Sequence, residues 1–422
     1  MAGMNPAHIL IWVIASLSIV LMLLRPKGIP EVIWTSAGAG LLCFLRLISP
    51  SIAWHAVGEG MDVYLFLTGM MLLSEVAKEY GVFDWLANLA VRHAQGLPTR
   101  LFTLIYIVGT VVTIFMSNDA MAVVLTPAVL AALRRAKAQP TPYLLTCAFI
   151  ANAASFVLPI SNPANLVVFH RAMPPLARWL AMFALPSAVS IFGTYVLLRF
   201  YCRRDLEKKS EVDGEVVNLT PAGKIVLAGI AVVACVLLLA SSLHKNLGLP
   251  ACLASLAVAI VLVVREKTNP LRLVREISWS ILPLVAALFI IVEAVKSAGA
   301  LEGLSALLQY TAHWPRALSE LAVGGVVGFG TNVVNNLPLG LIAGATLQAA
   351  PAQSSLAKTI LIAIDLGPNL SITGSLATIL WLIAIRREGL HFSGWEFLKA
   401  GIFIMPASLL LTIGVELLAY TC

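Results

Sequence analysis

Residues 115–127, FMSNDAMAVVLTP, set Ser117, Asn118 and Asp119 between two apolar runs, 101–116 and 120–133. Three polar side chains, one of them a carboxylate, are costly to place in the middle of membrane-embedded helix, and such groups mark solute pathways. The triplet is therefore the expected solute site, and the rest of the chain is read around it.

The membrane reading comes from composition. Of 422 residues, 59% are apolar and 12% are charged, against roughly 25% charged in soluble domains, and the mean hydropathy is +0.92. These values describe an all-α polytopic membrane protein, in which helices satisfy their own backbone groups and lipid solvates their outer faces. The net charge of +7 then reports loop orientation rather than an acidic partner, and nucleic acid is not an expected partner. Six cysteines, Cys43, Cys147, Cys202, Cys235, Cys252 and Cys422, show no short ligand spacing and read as apolar packers, weighed against a three-thiolate site for a trivalent metalloid. The seven histidines are scattered without metal-ligand spacing, and there is no Walker A sequence. No cofactor, no metal and no enzymatic activity are expected. The first apolar run lacks a basic flank and a cleavage pattern, so it reads as a retained helix.

In order, runs near 8–24, 32–48 and 61–79 approach the roughly 20 residues that cross a bilayer. The segment 82–93 alternates apolar and polar residues at helical spacing and is expected to lie along the interface. Two apolar arms follow around the SND triplet, over 100–135. Over 143–170 the stretch VLPISNPAN interrupts the run with Pro159, Ser161, Asn162, Pro163 and Asn165. Proline removes an intrahelical hydrogen bond and the polar residues supply replacements, so a helix broken mid-membrane is expected. The segment 179–201 is a further span, and the polar linker 206–221 divides the chain.

A repeat joins the halves. A shift of 218 residues lays SEVAKEYGVFD (74–84) on VEAVKSAGALE (292–302), so that Glu75 meets Glu293, Lys78 meets Lys296 and Gly81 meets Gly299. It also lays Asn118 on Asn336. A shift of 212 lays Ser161-Asn162-Pro163 on Thr373-Gly374-Ser375. The first repeat is read as 1–205 and the second as 222–422, with spans near 223–241, 249–264, 279–298 and 397–420. A second hairpin is expected at 316–350 around TNVVNNLP, and a second broken helix at 355–385 around DLGPNLSITGS.

Charge decides how the segments cross. If both hairpins are re-entrant, 21 of the 28 Lys and Arg residues share one face, and if the broken helices are re-entrant instead, 19 do. The first arrangement fits the positive-inside rule better. It gives ten crossings and two re-entrant hairpins in two inverted repeats, with both termini extracytoplasmic. Inverted repeats with discontinuous helices describe secondary transporters that hold solute at the midplane.

The segments SNDA…LTP and DLGPNLSITGSLATILW resemble those of the ArsB arsenite/antimonite efflux permease family, within the ion transporter superfamily, and the likeness covers nearly the whole chain. It implies inner-membrane extrusion of trivalent arsenic and antimony hydroxides in exchange for protons, in some members beside a cytosolic ATPase subunit. The tips depart from the sodium-symporter pattern in carrying Asp119 and in reading Asn335-Asn336-Leu337.

Candidate solute-binding residues are Ser117, Asn118, Asn152, Ser161, Asn162, Asn165, Asn335, Asn336, Asn369, Thr373 and Ser375, with Asp119 and Asp365 as proton-coupling groups. A neutral trihydroxide needs donors and acceptors, which these amides and hydroxyls supply. No Lys or Arg lies in either tip or break, which argues against a di- or tricarboxylate. Plain structural roles stand beside these: Asp119 and Asp365 as helix caps, the asparagines as partners of unwound backbone, and Glu75–Lys78 with Glu293–Lys296 as ordinary i,i+3 ion pairs. The alternatives are a sodium/proton antiporter with Asp119 and Asp365 as cation ligands, and a channel or non-transporting scaffold.

Overall fold

A computed structural model describes residues 5–169, 173–207, 218–349 and 356–419. Most of the expected linker, including Lys208 and Lys209, lies outside the described residues, as do Arg171, Cys422 and the edge positions 350 and 355 of the second hairpin and second broken helix.

The first half contains α1 (Pro6–Leu24), α2 (Glu31–Phe44), α3 (Pro50–Glu59), α4 (Met61–Glu79), α5 (Val82–Ala94), α6 (Pro98–Phe115), α7 (Asn118–Ala120), α8 (Thr126–Arg135), α9 (Thr141–Ala153), α10 (Pro163–Phe169) and α11 (Leu176–Tyr201). A π turn, Met121–Leu125, joins α7 to α8, and a 3-10 turn, Pro159–Ser161, precedes α10. The second half contains α12 (Pro221–Ser242), α13 (Gly248–Glu266), α14 (Pro270–Glu276), α15 (Ile281–Ser297), α16 (Ala300–Thr311), α17 (Arg316–Val334), α18 (Asn336–Ala349), α19 (Ala357–Leu366), α20 (Leu376–Arg387) and α21 (Gly394–Ala419). Between α19 and α20 run two 3-10 turns, Gly367–Asn369 and Ile372–Gly374.

The 218-residue shift carries α11 onto α21 end to end, each with one internal proline, Pro186 and Pro406. It also carries Gly81 onto Gly299, and both hold the left-handed conformation that starts α5 and α16, with φ of 71° and 95°. Glycine enters that region without a Cβ clash. The short helices α3 and α14 have no counterpart among the sequence expectations. Each begins with a capping side chain followed by proline. Ser49 Oγ accepts from Ile52 N–H at 3.3 Å, and Asn269 Oδ1 accepts from Leu271 N–H at 2.9 Å. The pattern is a helix start, hidden by its position at the edge of a long apolar run.

Packing between the halves is reciprocal. α4 lies on α13 as α15 lies on α2, and α10 packs on α18 as α20 packs on the π turn and α8. α11 and α21, themselves equivalents, pack on each other with a Thr194–Ser408 hydroxyl contact of 3.1 Å. Close approach relies on glycine: a Cβ on Gly69 of α4 would lie 2.6 Å from the Ala251 backbone of α13, and one on Gly344 of α18 would lie 2.7 Å from the Val168 carbonyl of α10. Trp179 and Trp381 are fully buried, while Phe192, Val264 and Leu418 are exposed on outer helix faces, as a lipid-facing surface requires.

By length and composition, six described helices are able to cross a membrane singly: α6, α11, α12, α13, α17 and α21. The bent pairs α3–α4 and α14–α15 raise this to eight. α9, α10, α19 and α20 are each too short alone, consistent with helices broken within the membrane.

The halves differ in one buried cluster. Glu320 on α17 pairs with Arg316 at 2.6 Å, and Glu416 on α21 pairs with Lys358 at 3.2 Å. Both glutamates are 1% exposed. Their first-half counterparts are Pro98, Phe102, Pro140 and Leu198, so one repeat carries buried ion pairs where the other is apolar.

Candidate functional site

At the end of α6 the chain passes through Ser117, with φ 151° and ψ 165°, before α7 begins; at the end of α17 it passes through Asn335, with φ 78° and ψ 151°, before α18 begins. These positions are equivalent, and both fall in a backbone region populated almost only by glycine, at a strain on the order of 1–3 kcal/mol each. Local hydrogen bonds hold them. Ser117 Oγ accepts from Ala120 N–H at 3.3 Å. Asn335 Oδ1 accepts from Leu337 N–H at 3.3 Å, and its Nδ2 donates to the Thr373 carbonyl at 3.0 Å.

The strained tips aim the next residues at one small cavity. It is lined by Asn118 and Asp119 from the first tip, Asn336 and Leu337 from the second, Asn162 and Pro163 from the first break, Leu376 and Ala377 from the second, and Leu67, Ile281 and Val285 from α4 and α15. The lining is itself a repeat: Leu67 and Val285, Asn118 and Asn336, and Asp119 and Leu337 are pairs 218 apart. About 20 Å³ is open to water centres, room for about one or two waters. Asn118 and Asn336 are 3% and 4% exposed, yet neither side chain hydrogen-bonds within the described residues, and Asn118 Oδ1 is wholly unpartnered. Asp119 is partly buried and makes no hydrogen bond or ion pair there. Buried polar groups left unpaired cost about 1–3 kcal/mol each, which a solute with donors and acceptors offsets.

The remaining candidates hold the cavity walls. Asn162 Nδ2 donates to Asp365 Oδ1 at 2.8 Å, and its Oδ1 accepts from Ala164 N–H at 3.0 Å. Asp365 is fully buried and lies behind Asn162, outside the cavity lining. Ser161 donates to the Ile114 carbonyl at 3.0 Å, tying the first break to the first tip. Asn165 donates to the carbonyls of Ser155 and Leu158, at 2.8 and 3.2 Å. Across the halves, Ser375 Oγ donates to Asn152 Oδ1 at 3.3 Å, Asn152 Nδ2 to Asn369 Oδ1 at 3.0 Å, and Asn369 Nδ2 to the Phe149 carbonyl at 3.1 Å. Thr373 donates to the Asn332 carbonyl at 3.0 Å. Of the thirteen candidates, Asn118, Asp119, Asn162 and Asn336 line the cavity; the other nine position them or satisfy freed backbone.

Asn332 was missed by sequence reasoning and organises the second half of the site. Its Nδ2 donates to the Gly367 carbonyl at 3.0 Å, and its Oδ1 accepts from Ser371 N–H at 3.0 Å and Ser371 Oγ at 2.7 Å. It stands in TNVVNNLP, one helical turn before the tip. The apolar walls, Leu67 and Val285, were also missed, although their 218-residue spacing was available. No Lys or Arg lines the cavity. The described cysteines sit on separate helices or their ends, and among the described residues no three His, Cys, Asp or Glu side chains converge as a metal site.

The arrangement can hold a small neutral solute by hydrogen bonds and present one carboxylate to it. Two arsenical pump membrane proteins, from Escherichia coli K12 and Yersinia enterocolitica, are 26% and 25% identical to this chain. Each alignment covers 94% of this chain and 95% of the relative. A solved structure, the YdaH transporter of Alcanivorax borkumensis, superposes with a TM-score of 0.57 at 14% identity over 89% of both chains, which supports the fold alone. Residues 5–367 match the family model described as citrate transporter. The chain is therefore a membrane transporter, not an enzyme, and belongs to the citrate transporter family, CitMHS, as an ArsB-like member.

Proposed function

We propose that the protein is a secondary transporter of the inner membrane that extrudes trivalent arsenic or antimony hydroxide in exchange for protons. The observation that carries this reading is the cavity: Asn118, Asn162 and Asn336 beside a single carboxylate, Asp119, with no cationic side chain. A trihydroxide offers three O–H donors and three acceptor oxygens, matching amides that both donate and accept. Asp119 alternates between accepting a solute hydroxyl and carrying a proton. Protonation removes an acceptor and favours release.

In this reading the two halves are inverted about the midplane, and α6–α8 and α17–α18 are re-entrant hairpins whose tips meet there. Reciprocal packing and the one-sided distribution of basic residues support it. Both termini then lie outside. The citrate named by the family is disfavoured here, because a tricarboxylate draws on cationic groups or bound cations. A sodium/proton antiporter is the second reading, since Asp119 makes no hydrogen bond or ion pair among the described residues.

Everted vesicles with an imposed pH gradient test the proposal. Uptake of trivalent arsenic that follows the gradient and persists without sodium supports it. Strict sodium dependence moves the assignment to the antiporter, and purely downhill flux to a channel.

A further inference from the structure

Two further cavities lie on one side of the solute site and share Glu59. One, about 240 Å³, is lined by Glu59, Asp62, Val63, Leu166 and Lys245 among others; the second, about 110 Å³, includes Val167, Phe289, Glu293, Lys296 and Leu341. Each of four helices lining the solute cavity reaches this vestibule one turn further on. Leu67 leads to Val63 on α4, Pro163 to Val167 on α10, Val285 to Phe289 on α15, and Leu337 to Leu341 on α18. Four residues rise about 6 Å, so a single layer of side chains separates the compartments. Phe289 fills that layer: it is 5% exposed and meets Tyr64 of α4 edge to face, with ring centroids 6.1 Å apart.

Each wall residue has a counterpart in the other repeat. Phe289 corresponds to Met71 and Leu341 to Val123, and the Glu293–Lys296 pair of this vestibule corresponds to Glu75–Lys78, an ion pair of 2.8 Å. On α4 the counterparts lead away from the solute cavity in the opposite direction, since the vestibule lies toward the start of α4 and Met71 toward its end. Its lysines, Lys245 and Lys296, are among the few basic residues that the proposed topology sets opposite the basic face, so in that topology the vestibule is extracytoplasmic.

We propose that Phe289 and Leu341 form the gate of an extracytoplasmic path to the solute cavity, and that Met71 and Val123 form the gate of an equivalent cytoplasmic path that opens when the first closes. This rests on the transport reading for the identity of the solute and on the proposed topology for which face is outside; the outer path is defined by its walls, the inner one by repeat equivalence.

The test places single cysteines at Leu341, Ala345 or Val123 in the full chain lacking its six native cysteines, and reads labelling by a membrane-impermeant maleimide. Leu341→Cys and Ala345→Cys are expected to react from intact cells and Val123→Cys only from everted vesicles. Adding Leu341→Trp, which blocks the outer path, is expected to raise Val123→Cys labelling several-fold. Labelling of Leu341→Cys and Ala345→Cys from the same side as Val123→Cys, or of neither outer position, overturns the proposal, as does Val123→Cys labelling that ignores Leu341→Trp. The expected pattern without any protection by arsenite upholds the paths and counts against arsenite as the solute.

Discussion

Asn162 Nδ2 donates to Asp365 Oδ1 at 2.8 Å, which ties a side chain that lines the central cavity to a carboxylate that does not. The bond joins the break of the first half to α19 of the second. Asp365 is fully buried behind Asn162, with the Ser155 side chain as a second polar neighbour.

Removing that acceptor strands the Asn162 amide. Asp365→Ala is expected to destabilise the protein by about 1–3 kcal/mol and to weaken solute affinity, while Asp365→Asn keeps an acceptor and loses less of both. Thermal unfolding of the purified variants, run as a double-mutant cycle with Asn162→Ala, measures the coupling. Additive losses would show that the bond carries no energy.

Asp119 lines the cavity and makes no hydrogen bond or ion pair among the described residues, so its substitution is expected to spare folding. Asp119→Asn is predicted to retain downhill exchange of trivalent arsenic and to lose uphill transport driven by a proton gradient. Vesicle flux with and without the gradient separates the two. If the variant still concentrates arsenite with an unchanged pH response, coupling lies elsewhere and Asp365 is next.

The SND triplet, the second tip and both broken helices were legible because polar residues and prolines inside apolar runs are conspicuous. Element order in the second half followed from matched charges at a fixed shift. Which asparagine lines the cavity and which braces backbone was not legible: Asn118, Asn165 and Asn369 look alike in sequence, and only the path of the backbone decides that Asn165 turns back to the Ser155 carbonyl while Asn118 faces open space. The buried Glu416–Lys358 ion pair also escaped, because its partners lie on different helices.

The tips give a prediction of opposite sign for stability and transport. Ser117→Gly relieves backbone strain on the order of 1–3 kcal/mol and sacrifices a cap that glycine replaces at a few tenths. It is expected to raise thermal stability while slowing transport, because the freed tip no longer holds Asn118 toward the cavity. Melting temperature and arsenite flux on one preparation check both; a less stable variant refutes the strain argument.

Gly69 allows α4 to meet α13, and a side chain there has no room. Gly69→Val is expected to cost about 1–3 kcal/mol or more through overpacking, whereas Gly40→Ala, inside α2 with open space at the Cβ position, is expected to be neutral or to gain up to about 1 kcal/mol. Detergent-stability curves of the two variants make the comparison.

The cysteines are predicted to be dispensable for transport, given the dispersal of the five described ones over separate helices or their ends. A variant lacking all six is expected to keep arsenite flux, with some loss of stability from fully buried Cys147. Selective loss of arsenite flux in a folded variant would instead indicate a thiol site.

The cavity's one carboxylate has an electrical consequence. In the proposed exchange the solute is neutral, so the charge moved in each cycle is that of the proton, and transport is electrogenic. A potential of 100 mV contributes about 2.3 kcal/mol per proton. Current through the reconstituted protein then counts protons directly, and its ratio to arsenic flux is the stoichiometry of exchange. Asp119→Asn, if limited to downhill movement of neutral solute, carries flux with no current at all.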